Sequence, residues 1–271
     1  MNKNNQNYFC KLFFVKHLTF IFLISNIIFT QNNFFLRQIE EKEVAKSKKL
    51  VATDNLDNYY FLNRSEISIN DKLFYSNFSL GDITKIDVFN PLKIKLWYSD
   101  FSTLIVLDNN LNEILRTDFT SLYPDFEITE ISSSNENIIW IFDQNNMMVK
   151  KYDFVKNKFV NSVQVQLNEN VLDMKSDYNF LWLITKNWFY KINYNGSILM
   201  KKSIDNLEKI HFYKNDILLY GNKNLFYFDT DDLSFEKIEW TKNISKDFFV
   251  IDETLYIYVE DNLTKFLISN K

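Results

Sequence analysis

Three features of this sequence predict an all-β chain assembled from repeated four-stranded units. The first is composition: of 271 residues, 27 are Phe, 15 Tyr and 5 Trp, against only 3 Gly and 2 Pro. Aromatic and β-branched side chains suit a pleated, packed surface, and an apolar fraction of 46% is far above that of a disordered chain. The second is a rhythm of apolar run, short polar turn and apolar run, as in "IWIFDQNNMMVKKYD" (139–153). The third is its period. Aligning the second residue of each central run gives Tyr60, Trp97, Trp140, Trp182, Leu218 and Tyr256, spaced 37, 43, 42, 36 and 38 residues apart.

The N-terminal segment stands apart from this rhythm. "MNKNNQNYFCKLFFVKH" carries Lys3, Lys11 and Lys16 and no acid, and "LTFIFLISNIIF" (18–29) is a twelve-residue apolar stretch. A basic start followed by a short apolar core reads as a secretory signal over residues 1–31, too short for an ordinary membrane span. "IIFTQ" lacks a small residue three before the cut, which keeps an uncleaved anchor open as the rival. In that case the chain meets the membrane through residues 12–30 only. Cys10 precedes the apolar core and is not placed to carry a lipid. Export places the protein in the periplasm or cell envelope of a bacterium.

Residues 32–271 read as one domain, since no Gly-, Pro- or Ser-rich linker divides them. The full chain has a formal charge of −4, and removing three lysines with the signal leaves −7. An acidic surface argues against nucleic acid as a partner. Without Cys10 no disulfide can form, and one histidine, His211, remains.

A period near forty with four short strands per unit is the pattern of a β-propeller blade. The predicted fold is a six-bladed propeller with blades at about 48–80, 81–122, 126–167, 170–204, 205–240 and 244–271. Central runs such as "IIWIF" and "FLWLI" are apolar throughout, because blades stack face to face and leave a middle strand no wet side. With glycine scarce, Asn and Asp are expected to make the turns, by tolerating left-handed backbone and by bonding locally. The sixth copy stops after three strands. An open ring would expose an unpaired edge, and "NFFLRQIE" (33–40) is the candidate to close it.

The segment "GDITKIDVFNPLKIKLWYSDFSTLIVLDNNLNEI" (81–114), with its core "DVFNPLKI" followed by "LIVLDNNLNEI", resembles a stretch in an uncharacterised family of exported, β-propeller-like proteins of Bacteroidota. The resemblance implies a secreted propeller and brings no catalytic residues to transfer. Asn90 and Pro91, its most distinctive positions, read as the turn between the first two strands of a blade.

Chemistry is sparse. One histidine and no mature cysteine make no zinc or copper site. "DTDDLSFE" (229–236) is acidic but lacks the glycine of a calcium loop and falls at a hairpin turn. There is no nucleophile motif and no phosphate loop, and no cofactor or metal is implied. The informative positions lie in the predicted innermost strands, aligned by Ile86, Ile131, Met174, Ile210 and Val250. The residues on either side share one strand face. They are Lys85 and Asp87, Glu130 and Ser132, Asp173 and Lys175, Lys209 and His211, then Phe249 and Ile251. Lys85, Asp87, Glu130, Asp173, Lys175, Lys209 and His211 are therefore the ligand-binding candidates of a central channel. Their mixed charge also suits a watery channel that binds nothing. Trp188, Trp240, Tyr123 and Tyr213, outside the central runs, are candidates for stacking a sugar or anchoring a partner. The function these features support is an exported, non-catalytic protein-binding or scaffolding module of the bacterial cell envelope. Two alternatives stay open: a glycan hydrolase with paired carboxylates at the channel mouth, or a sensor of a small ligand.

Overall fold

The computed structural model describes residues 34–43, 48–54, 56, 58–239, 248–251, 254–259 and 262–270. The signal or anchor segment, Cys10 and Trp240 lie outside them. The first strand, β1 (Phe34–Glu43), belongs to the last sheet. Blade 1 is β2 (Lys49–Thr53), β3 (Tyr59–Asn63), β4 (Glu66–Ile69) and β5 (Leu73–Ser76). Blade 2 is β6 (Lys85–Asp87), β7 (Ile94–Tyr98), β8 (Thr103–Leu107) and β9 (Glu113–Asp118). Blade 3 is β10 (Ile128–Ser133), β11 (Ile138–Asp143), β12 (Met148–Asp153) and β13 (Lys158–Gln166). Blade 4 is β14 (Val171–Ser176), β15 (Phe180–Thr185), β16 (Trp188–Asn193) and β17 (Ile198–Ser203). Blade 5 is β18 (Leu207–Tyr213), β19 (Asp216–Gly221), β20 (Asn224–Asp229) and β21 (Ser234–Lys237). Blade 6 is β22 (Phe248–Ile251), β23 (Thr254–Val259) and β24 (Asn262–Asn270), with β1 as its outer strand. All six are antiparallel sheets of four, as the repeat predicts.

Burial follows position within the blade. In blade 2 every residue of β7 and β8 is buried, because both faces of a middle strand meet neighbouring sheets. The outer strands β9 and β17 are largely exposed, and their sequences, EILRTD and ILMKKS, turn polar. The core is accordingly a set of wedges between consecutive blades. Trp140 and Phe142 of blade 3 pack on Leu181, Leu183 and Tyr190 of blade 4, and Trp182 and Phe189 of blade 4 pack on Ile217 and Phe228 of blade 5. The last wedge, Phe249, Tyr256 and Leu263 against Leu50, joins blade 6 to blade 1 and closes the ring. Each such side chain contributes about 1.5–3 kcal/mol.

Closure at the rim comes from β1, which pairs antiparallel with β24 from Phe34 opposite Asn270 to Glu43 opposite Asn262. Phe34 also stacks on Tyr227 of blade 5 at 4.2 Å, and its carbonyl accepts from Glu239 N–H.

The turns depart in part from expectation. Of thirteen described non-glycine residues with positive φ, only Asn70, Asp71, Asn157, Asn206 and Asn222 are Asn or Asp, while Leu111, Met147 and Leu233 share that conformation. Local bonding is the commoner role. Asp108 accepts from the N–H groups of Asn110 and Asn112, Asp153 from Val155 and Lys156, and Asn193 from Asn195 and Ser197. The side chain fixes the turn from its first position, which relieves the later positions of needing glycine.

Candidate functional site

The first strands of the blades, β2, β6, β10, β14, β18 and β22, line the axis. Four of them carry the same irregularity. Pairing with the second strand skips one residue between Leu50 and Ala52, Ile128 and Glu130, Val171 and Asp173, and Leu207 and Lys209. A bulge of this kind re-aims the side chain that follows it. Here it sits directly before Glu130, Asp173 and Lys209, three of the polar residues that reach the axis.

They border a cavity of about 320 Å³. Six of the seven sequence candidates line it: Lys85 from blade 2, Glu130 from blade 3, Asp173 and Lys175 from blade 4, and Lys209 and His211 from blade 5. Lys85 is the hub. Its ammonium donates to Glu130 Oε2 at 2.6 Å, Asp173 Oδ1 at 3.1 Å and the Met174 carbonyl at 3.0 Å, which uses all three of its N–H donors. Burial opposes the charge on Lys85, but the two carboxylates overcome it and hold the amine above its ordinary pKa. The Asp173 carboxyl is buried as well, yet Lys85, Lys175, Lys209 and the Ile210 N–H hold it well below the usual range. Its second oxygen, Oδ2, accepts that N–H at 3.0 Å. Glu130 moves the other way: burial raises it, and the pull of Lys85 does not fully compensate.

Asp87 does not reach the cavity. Its carboxylate accepts from Ser133 N–H at 2.8 Å and Phe89 N–H at 3.0 Å, tying blade 2 to blade 3. Against the cost of burial, Lys95, these N–H groups and Lys175 lower its pKa. Lys175 is half-buried, and desolvation lowers its pKa more than the acids restore it. His211, packed on the Phe248 ring at 4.6 Å, is pushed down to about 3 by burial and then by Lys175, and so is neutral.

The far wall escapes sequence reasoning. Blades 6 and 1 contribute Lys49 together with Phe248, Phe249, Tyr258, Leu50, Val51 and Leu62, so the cavity is polar on one side and mainly apolar on the other. Phe249 and Ile251 at the aligned positions were the visible signal that the sixth copy differs. Tyr258, Thr84 and Lys49 carried none, since they come from a middle strand, a loop and the unaligned first inner strand.

The aromatic candidates take other roles. Tyr213 is 5% exposed, and Trp188 packs against the wedge between blades 3 and 4. Tyr123 sits in an aromatic cluster with Phe119, Phe126 and Tyr152, its hydroxyl donating to the Asn157 carbonyl. These three described side chains fill gaps between strands and are not free stacking platforms. In the acidic turn, Asp229 accepts from the N–H groups of Asp231 and Asp232, and no group of three metal-ligating side chains occurs among the described residues.

No protein-family model matches the chain, and no curated protein matches it either. Solved structures do. Virginiamycin B lyase from Staphylococcus aureus superposes with a TM-score of 0.58 at 10% identity, over 87% of this chain and 99% of that one. A protein of unknown function from Bacteroides thetaiotaomicron gives 0.59 at 9%, over 88% and 77%. An extracellular domain from the same organism gives 0.58 at 13%, over 82% of this chain and 33% of that one. At such identities the likeness is one of fold, and the fold shared is the β-propeller.

Proposed function

We propose that this chain is an exported, non-catalytic propeller that serves the bacterial envelope as a binding module, for a protein partner or for a ligand at its axis. The observation that carries the reading is the state of the axial acids. Glu130 and Asp173 share the Lys85 ammonium. A glycosidase pair needs one carboxylic acid and one free carboxylate with the sugar between them, whereas here a lysine fills that space and holds both. The glycan-hydrolase alternative loses its support on this point.

Export is supported by the basic and apolar start of the chain and by the likeness to an extracellular domain of a Bacteroides protein. No helix among the described residues is long and apolar enough to cross a membrane. A glycan remains a ligand class to screen, and nucleic acid does not suit the acidic surface.

A small-ligand sensor is the second reading, favoured by one observation: the axis holds an open cavity of about 320 Å³, within the range of ligand pockets.

Crosslinking and affinity capture from envelope fractions test the module reading, with a specific envelope protein expected to be retained. Hydrolysis of a glycan or peptide by the purified protein, lost on Glu130→Gln or Asp173→Asn, would overturn it.

A further inference from the structure

We propose that the axial cavity binds a small organic anion with an apolar body, its carboxylates met by Lys175 and Lys209 and its body lying against Phe248, Phe249 and Val51. This deepens the binding role proposed above and rests on it.

The argument begins with charge. Leaving aside Lys49, which has an interaction of its own, three lysines border the cavity, Lys85, Lys175 and Lys209, against two carboxylates, Glu130 and Asp173. The excess is one positive charge, in a chain whose formal charge is −4. Adding Asp87 and Lys95 just behind the wall leaves the excess unchanged. A channel whose charges cancelled would be an inert, watery feature of the ring, and this one does not cancel.

The excess is also localised. Lys85 is consumed by its three acceptors. Lys175 and Lys209 make no hydrogen bond or ion pair among the described residues. Lys209 is exposed and Lys175 half-buried, and they stand on the inner strands of consecutive blades, β18 and β14. Desolvation already disfavours the charge on Lys175, and a half-buried ammonium without an acceptor is a costly arrangement that a bound carboxylate would relieve. Neutral His211 beside them offers a ring N–H as a further donor and adds no charge.

The opposite wall sets the rest of the ligand. Phe248, Phe249 and Val51 offer no charge to a second polar end, and an inorganic oxyanion would leave them facing water. A short hydrocarbon or ring carrying one or two carboxylates meets both walls and fits about 320 Å³.

Calorimetric titration of the full chain tests the proposal. The probes are phthalate, succinate, benzoate, the neutral diamide of phthalate and inorganic sulfate. Phthalate is expected to bind most tightly, sulfate at least tenfold more weakly, and the diamide not measurably. Lys175→Met and Lys209→Met should each weaken phthalate binding at least tenfold. Unliganded Lys175→Met should melt no lower than the parent, since it removes a desolvated charge. That guards against mistaking unfolding for lost binding. Failure of all three carboxylates to bind at 10 mM overturns the proposal. So does equal binding of the diamide or sulfate, or undiminished affinity in both lysine variants. The binding-module reading is separable from this outcome. An envelope protein captured equally by parent and Lys175→Met, with no anion bound, sinks the anion site alone. A carboxylate bound and then chemically converted sinks the non-catalytic reading and leaves the anion site standing.

Discussion

Lys85 carries more of the axis than any other single side chain. Its side chain is 14% exposed, and those of Glu130 and Asp173 are 22% and 6% exposed, so none of the three charges is hydrated well enough to stand alone. Lys85→Met would leave two buried carboxylates facing each other. A loss of about 3–5 kcal/mol is expected, read as a lower urea midpoint with an unchanged slope. His211 makes a prediction in pH. Its folded pKa of about 3 lies below the unfolded value of 6.5, so between them the unfolded state holds the extra proton and stability rises with pH. The contribution is complete above pH 6.5 and lost as pH falls towards 3. In His211→Gln the dependence of stability on pH across that window should be shallower than in the parent by up to one proton, about 1.4 kcal/mol per pH unit. Denaturation curves at half-unit intervals would show it. Lys151 is a case of the same sign in a higher pH window. It is 1% exposed, its ammonium has no hydrogen-bond partner, and burial lowers its pKa to about 7. The rings of Trp140 and Tyr194, 4.5 and 2.9 Å away, favour the charged form and offset part of that penalty. Since the unfolded amine titrates near 10.5, the penalty is fully present below pH 7 and fades as pH rises to 10.5. Lys151→Met should therefore stabilise the fold at pH 6 by about 1–3 kcal/mol, with the gain shrinking by pH 10.

Elements set where these residues stand, and here the sequence was legible only in part. Middle strands declared themselves because a run such as "TLIVL" has no polar residue to give to solvent, and β8 is buried throughout. The alternation around Ile131, Met174 and Ile210 likewise marked the inner strands. The bulges before Glu130, Asp173 and Lys209 did not show. The inserted residues, Thr129, Leu172 and Glu208, share no chemistry, since what a bulge requires is a backbone irregularity and not a side chain. Gly221 is the one place where the sequence records it. Gly221 pairs with Leu207 at the start of the blade 5 bulge, and a Cβ there would stand 2.2 Å from the Asn206 carbonyl oxygen. Both partners are backbone, so neither can rotate away. Gly221→Ala is expected to cost about 1–3 kcal/mol in urea denaturation. Because the bulge carries Lys209 towards the axis, the same change should disturb anion binding more than a comparable loss of stability imposed on an outer strand.

The whole ring explains why pairing at the axis could not be read from the repeat. Aligned copies look equivalent, yet Lys85 bonds Glu130 one blade on and Asp173 two blades on, while blades 6 and 1 line the axis mainly with apolar side chains. Which charge meets which depends on closure into a circle, a relation between residues 45 and 88 positions apart that no local pattern contains. Closure is also where the molecule is most exposed to failure. Among the described residues, the wedge between blades 6 and 1 is built on Leu50, Phe249, Tyr256 and Leu263, and it lies beside the blade whose rim depends on β1. Deleting residues 34–43 would strip β24 of its outer partner along its length. It would also remove Phe34 and Leu36 from the wedge between blades 5 and 6, and leave an edge able to pair with another chain. The truncated protein is expected to melt several degrees lower and to associate with rising concentration, measured by light scattering across a dilution series. Leu36→Asp separates the two effects. It keeps the strand's backbone pairing but damages the wedge, so it should lower the melting temperature without producing association. A truncated chain that stayed monomeric and melted with the parent would mean that the radial wedges alone hold the ring, with β1 a passenger on its rim.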